Sequence, residues 1–169
     1  MLKKTLIIYM LCVFPILTSC SNCKVQSNII TCNFDELKNW NVSNEAISNK
    51  LSRSGKYSIF VGSERIYSLT YDADVKELLA KGYTKLKASI WANTNHEPQE
   101  IQWVATIDSP TGGNYIWKST FLSSPKETDN KGWKRIEVIL EIPLVAENGI
   151  LKIYGWSPAQ EEAFLTTLN

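Results

Sequence analysis

The chain has 169 residues with 18 basic and 17 acidic side chains, so its formal net charge is +1. Such a balanced charge lacks the basic footprint that is typical of nucleic acid binding, and we predict no nucleic acid partner. The length is that of about one domain, large enough to bury a core without disulfides.

The first 19 residues have the pattern of a signal peptide. Lys3 and Lys4 form a positive start, and an apolar run covers residues 6–17, which is too short to span a bilayer as a helix. Leu17-Thr18-Ser19-Cys20 then resembles the lipobox of bacterial lipoproteins. The resemblance implies cleavage after residue 19, lipidation of Cys20 and a place in the bacterial cell envelope, with the outer membrane as the expected one. An ordinary secretory signal with an incidental cysteine is the alternative.

The CxxC spacing of Cys20 and Cys23 does not predict a metal site. A zinc site normally needs four nitrogen or sulfur ligands. After residue 19 the sequence offers only Cys20, Cys23, Cys32 and His96, and lipidation would remove Cys20 from these four. A disulfide between Cys23 and Cys32 would need a turn between them, since a strand would hold them roughly 30 Å apart. We therefore expect a free, buried Cys32.

Residues 20–28 are interpreted as a polar tether and residues 29–169 as one domain of short alternating segments. Its only helical pattern is DADVKELLAKG, residues 72–82, which Asp72 or Asp74 can cap and Gly82 can end. Many short strands with one brief helix predict an all-β fold, either a two-sheet antiparallel sandwich or a barrel. The predicted strands lie near residues 29–34, 55–61, 65–71, 84–92, 100–107, 113–122, 132–142, 150–157 and 162–168.

Alternation of apolar and polar residues assigns faces to most strands. The side chains expected in the core are those of Leu86, Ala88, Ile90, Trp103, Ile136, Val138, Leu140, Leu151 and Ile153. Those expected outside are Trp91, Gln102, Thr106, Lys152, Tyr154 and Trp156. Strand 113–122 is ambiguous, because Trp117 lies in one apolar row and Ile116 in another.

Five segments occur in the order seen in galactose-binding-like jelly rolls: CNFDELKNW, RSGKYSIFVG, KLKASIWAN, GWKRIEVILEIP and LKIYGWS. The chain resembles this group, which includes many carbohydrate-binding modules, over residues 29–169. The resemblance implies a jelly-roll β-sandwich with strands 65–71, 100–107, 113–122 and 150–157 in one sheet.

The resemblance also raises the question of a structural calcium ion, for which Asp35 and Glu36 could supply oxygen ligands. Such modules often carry an acidic pair near the last strand, where this chain has Thr166 and Thr167. We interpret Asp35 and Glu36 as solvated turn carboxylates and predict neither a metal site nor a cofactor.

Proteins usually bind the apolar face of a sugar ring by stacking outward-pointing aromatic side chains against it. The predicted ligand-binding residues are Tyr154, Trp156, Gln102, Tyr67, Tyr71 and Trp117 on one sheet, with Trp91 on the other. The residues on the first sheet would form a contiguous exposed apolar patch, which usually marks an interaction site, and Trp91 is a separate, second candidate. We predict carbohydrate binding. The alternative is a structural or assembly module that binds another envelope protein through the same face.

No pattern marks a catalytic residue. His96 lies in a polar loop near Glu97 and Glu100, without a nucleophile marked in the sequence. Glycosidase chemistry needs two carboxylates at a fixed separation, and nothing singles out such a pair among the turn acids. We therefore predict that the protein is not an enzyme.

Overall fold

The computed structural model describes Phe34 and residues 40–41, 46–98 and 100–166. The predicted signal peptide, Cys20, the tether, Cys23, Cys32, Asp35, Glu36 and all of strand 29–34 except Phe34 lie outside the described residues. Within the described part of the chain, no helix has the length and hydropathy to cross a membrane.

The described strands form two antiparallel sheets packed face to face, which is the predicted jelly-roll β-sandwich. Sheet A has the order β1 (Trp40–Asn41), β4 (Thr70–Asp74), β10 (Ile150–Trp156), β6 (Gln102–Asp108), β7 (Asn114–Phe121). Sheet B has the order β2 (Ile47–Ser48), β3 (Ser58–Val61), β11 (Ala163–Thr166), β5 (Lys85–Asn93), β9 (Lys134–Glu141), β8 (Glu127–Thr128). The four strands expected to share a sheet do so as β4, β10, β6 and β7.

The core lies between the sheets and is built by the predicted alternation. Ile136, Val138 and Leu140 of β9 are buried, as are Leu151 and Ile153 of β10. Because successive side chains of a strand point to opposite faces, the side chains between these core residues point to the outer faces of the two sheets. The core also has a polar link, since the indole N–H of Trp103 donates to the carbonyl of Ala88 in the opposite sheet at 3.3 Å.

The single α-helix in the described residues is α1 (Val75–Ala80), where the sequence predicts a helix, and a short 3-10 helix covers Leu144–Ala146. Asp74 rather than Asp72 caps α1, since its carboxylate accepts from the Lys76 amide at 2.8 Å. Gly82 ends it with a φ of +81°, and its amide donates to the carbonyl of Leu79. Only glycine adopts this left-handed conformation without strain.

Trp91 lies on the outer face of sheet B, as alternation predicts, but the expectation that it is accessible is wrong. Only 2% of its surface is exposed, because the Arg53 guanidinium covers the ring at 3.8 Å from the centroid. Arg53 is held there by Asp129, with 2.9 Å between Nε and Oδ2. Although burial raises the pKa of Asp129, the hydrogen bond from Arg53 and two backbone amides lower it below the usual range overall.

The expectation that Tyr71 shares the outer face with Tyr67 is also wrong, and a local irregularity is the reason. Tyr67 is opposite Trp156, whereas Tyr71 is opposite Ile153. There are four residue steps from Tyr67 to Tyr71 but only three from Trp156 to Ile153. The segment that carries the tyrosines therefore contains one extra residue, which turns the side chains after it to the opposite face of the sheet. Tyr67 points outward, while Tyr71 packs against the core with its ring 5.8 Å from that of Trp40.

Candidate functional site

The outer face of sheet A carries the side chains that alternate with the core residues. Strand β6 is flanked by β10 and β7, so side chains from three strands meet on this part of the face. On β7 the ambiguity is resolved: Trp117 is opposite Thr106 and points outward, whereas Ile116 packs against the core. This face is therefore the place where most of the predicted binding residues come together.

Four aromatic side chains form a cluster on this face: Tyr67, Trp117, Tyr154 and Trp156. The Tyr67 ring lies parallel to Trp156 at a centroid distance of 6.3 Å and edge-on to Tyr154 at 5.8 Å. Trp117 meets Trp156 edge-on at 6.3 Å. We call these four residues the aromatic cluster.

The aromatic cluster has an outer and an inner layer. Tyr67 is 48% exposed and Trp117 is 43% exposed. Tyr154 and Trp156 are half-buried, because Tyr67 covers part of both rings. The sequence predicts that Tyr154 and Trp156, two outward residues of one strand, contact the ligand directly. In the structure the exposed rings are Tyr67 and Trp117, and the pair on β10 supports them.

Gln102 and Thr106 point outward as predicted, but both are largely buried. Gln102 is 7% exposed and Thr106 is 2% exposed, because both lie on β6 beneath side chains from the strands on either side. Gln102 is opposite Trp156. The Gln102 Oε1 and the Trp156 Nε1 are both buried and find no hydrogen-bond partner among the described residues. Gln102 therefore lies under the cluster rather than at its surface.

A cleft of about 280 Å³ opens beside the aromatic cluster. Two tyrosines form its apolar side, and the other side chains that line it carry hydroxyl, amide or charged groups. The cleft is therefore more polar than most small-molecule pockets, which are lined mainly by apolar side chains, and it suits a ligand with many hydrogen-bonding groups. The residues that line the cleft are Tyr67, Thr70, Thr106, Asp108, Asn114, Lys152 and Tyr154.

Asp108 organises the polar side of the cleft. It accepts a hydrogen bond from Lys152 Nζ at 2.7 Å and from the Thr106 hydroxyl at 2.8 Å. With its amide nitrogen turned toward Asp108, Asn114 donates a third at 3.0 Å. The hydrogen bond to Asp108 raises the pKa of Lys152, so the ammonium stays charged throughout the physiological range.

The sequence interpretation missed Asp108, Asn114 and Thr70 as site residues, and it placed Lys152 outward without assigning it to the site. Strand alternation could have found Lys152 and Asp108, since they continue the outward rows of Tyr154 and Thr106. Asn114 could not be found that way. One extra residue interrupts the pairing next to it, where Asp108 is opposite Asn114 and Ile107 is opposite Ile116.

Asp72 lies at the margin of this network. It is directly opposite Lys152 on the neighbouring strand, which places such side chains about 5 Å apart at Cβ. Its Oδ1 is buried and has no hydrogen-bond partner in the described part of the chain. Burial raises the pKa of Asp72; Lys152 opposes this shift, and Asp108 adds to it.

His96 lies in the loop that joins β5 to β6, at the end of β6 opposite to Asp108. The His96 side chain is exposed, and Glu97 pairs with Lys134 at 2.7 Å. Among the described residues, no three histidine, cysteine or acidic side chains lie together as a metal site would require.

No protein-family model and no curated protein matches the sequence. Among solved structures, the chain is similar to two xylan-binding domains of Xyn10C from Paenibacillus barcinonensis. With CBM22-2 the TM-score is 0.53 at 12% identity, over 83% of this chain and 96% of that domain. With CBM22-1 the TM-score is 0.54 at 10% identity, over 82% and 89%. At such identities the similarity establishes the shared jelly-roll fold.

Proposed function

We propose that this protein is a non-catalytic recognition module that binds carbohydrate on the outer face of sheet A. The observation that carries the proposal is the pairing of exposed Tyr67 and Trp117 with a polar cleft. Sugar rings have an apolar C–H face and a rim of hydroxyl groups, so they need aromatic surface and hydrogen-bonding groups side by side. The outer face of sheet A provides both.

Each part of the site has a definite role in this proposal. Tyr67 offers a ring face for stacking at the mouth of the cleft, and Trp117 extends the apolar surface along β7. The Lys152 ammonium has three N–H donors, of which Asp108 takes one. Asp108 is oriented by three protein donors, so the polar groups need little rearrangement when a ligand binds, which reduces the cost of association.

A polysaccharide panel tests the proposal. The purified full-length chain should be retained by at least one neutral polymer among xylan, mannan, galactan and cellulose, and soluble oligosaccharides of that polymer should release it. Xylan is the first choice, because two domains of the same fold are named as xylan-binding. Retention by none of these polymers and by none of their carboxylated counterparts would contradict the proposal.

The second candidate function is binding to another envelope protein. The observation that favours it is β7, the edge strand of sheet A, where Tyr115 and Phe121 are exposed in addition to Trp117. Exposed aromatics beside an unpaired strand edge can bind a protein as well as a sugar. Cross-linking from residue 121 in cells distinguishes the two, since a carbohydrate module yields no single protein adduct.

We also propose that residues 1–19 are a lipoprotein signal peptide and that Cys20 anchors the chain in the bacterial envelope, at the outer membrane. Replacing Cys20 by Ala should shift the protein from the membrane fraction or leave it unprocessed, because the acyl chains supply roughly 0.8 kcal/mol per buried CH₂. Intact mass spectrometry of the membrane-bound form should show a chain that begins at Cys20 and carries acyl mass. A mature chain that begins elsewhere would contradict the proposal.

A further inference from the structure

We infer that the cleft selects neutral over anionic saccharides and that Asp72, which does not itself line the cleft, sets this selectivity. The inference rests on the proposed function and adds the substrate class. It follows from the number, position and bonding of the charged groups on the outer face of sheet A.

Carboxylates outnumber cations on the described part of this face. By strand alternation, the charged side chains that β4, β6, β7 and β10 direct outward are Asp72, Asp74, Asp108 and Lys152. Asp74 is engaged as the cap of α1. Asp72 on β4 is directly opposite Lys152 on β10, and Asp108 on β6 lies diagonally across from Lys152, two residues beyond its direct partner Thr106. The local net charge is therefore negative.

Lys152 is the only cation among these groups, and Asp108 already neutralises it. Their contact distance is 2.7 Å, which is that of a charge-assisted hydrogen bond. Thr106 and Asn114 hold Asp108 in place, so an incoming uronate or sulfate could not displace it at low cost. An uncharged hydroxyl can accept from the remaining Lys152 N–H groups without that competition.

Asp72 adds a second carboxylate next to Lys152, on the neighbouring strand β4. Its Oδ1 is buried without a partner among the described residues, and an unsatisfied buried polar atom costs stability. Burial raises the pKa of this carboxyl above its usual range, which means that folding disfavours its charged form. Because the Asp72 carboxyl costs stability and lies beside the cleft, we assign its role to the selection of the ligand.

The experiment compares neutral polymers with carboxylated partners of the same linkage: β-1,4-mannan with polymannuronate, β-1,4-glucan with β-1,4-glucuronan, and linear xylan with glucuronoxylan. The full-length chain should bind the neutral member at least tenfold more tightly at low salt. The preference should shrink at 0.5 M NaCl, because salt screens exposed charges. Asp72→Asn should reduce the preference about fivefold by improving binding of the carboxylated polymer.

The matched control is Glu141→Gln, which makes the same change of net charge on the outer face of sheet B. It should leave the preference unchanged. Equal or tighter binding of the carboxylated polymers by the wild type would overturn the inference while leaving the proposed function intact. An unchanged preference in Asp72→Asn would overturn the role of Asp72. Binding to none of the six polymers, and not to galactan either, would count against the proposed function itself, and the inference would fall with it.

Discussion

Replacing Tyr67 by Ala should weaken capture of the bound polysaccharide roughly 10- to 100-fold, as expected for a central aromatic contact. The side chain is 48% exposed at the mouth of the cleft and lies over both Tyr154 and Trp156. The free energy of unfolding should fall by only about 1 kcal/mol, since the ring is half in solvent and its loss removes two aromatic contacts. Affinity electrophoresis and thermal melts of the same variant measure the two effects separately.

The control for Tyr67→Ala is Ile139→Ala. Ile139 is equally exposed but lies on the outer face of sheet B, so its loss should change neither capture nor stability noticeably. Normal capture by Tyr67→Ala, in a protein whose melting curve shows that it is folded, would mean that the ligand does not stack on the aromatic cluster. A melting temperature that falls as far as for a core substitution would mean that Tyr67 is a structural residue.

Trp156→Ala should affect stability and binding together. The indole points away from the core but is packed between Tyr67 and Trp117. We expect a loss of about 2 kcal/mol, between the 0.5 kcal/mol of a surface site and the 3–5 kcal/mol of a buried tryptophan. Capture should also fall, because Tyr67 loses the ring on which it rests. Denaturant unfolding and capture assays on the same preparation measure both quantities.

The conservative variant Trp156→Phe separates support from direct contact. A phenyl ring keeps an aromatic surface under Tyr67 but lacks the buried Nε1, which has no partner in the described residues. Stability and capture should both stay near those of the wild type. Full loss of capture in Trp156→Phe would show that the indole itself contacts the ligand. A loss of 4–5 kcal/mol in Trp156→Ala would instead place Trp156 in the core.

Much of the fold follows from local sequence rules. The alternation in residues 134–141 and 150–156 assigns core and surface correctly, because a side chain on a half-buried strand can point only to one of two faces. The helix also depends on nearby residues, since Asp74 caps its start and Gly82 ends it in a left-handed conformation. These features depend on residues a few positions apart, so the sequence predicts them directly.

The sequence by itself therefore determined the two-sheet architecture, the outward direction of Tyr154 and Trp156, and the presence of an aromatic face. The tertiary structure decided which aromatics are accessible. An extra residue turned Tyr71 into the core while leaving Tyr67 outside, and Arg53 covered Trp91 from a distant segment. The cleft has the same origin, because Asp108 and Lys152 lie 44 positions apart in the sequence and meet only through the pairing of β6 with β10. Alternation defines the side of a sheet, whereas exposure depends on what the rest of the chain places above it.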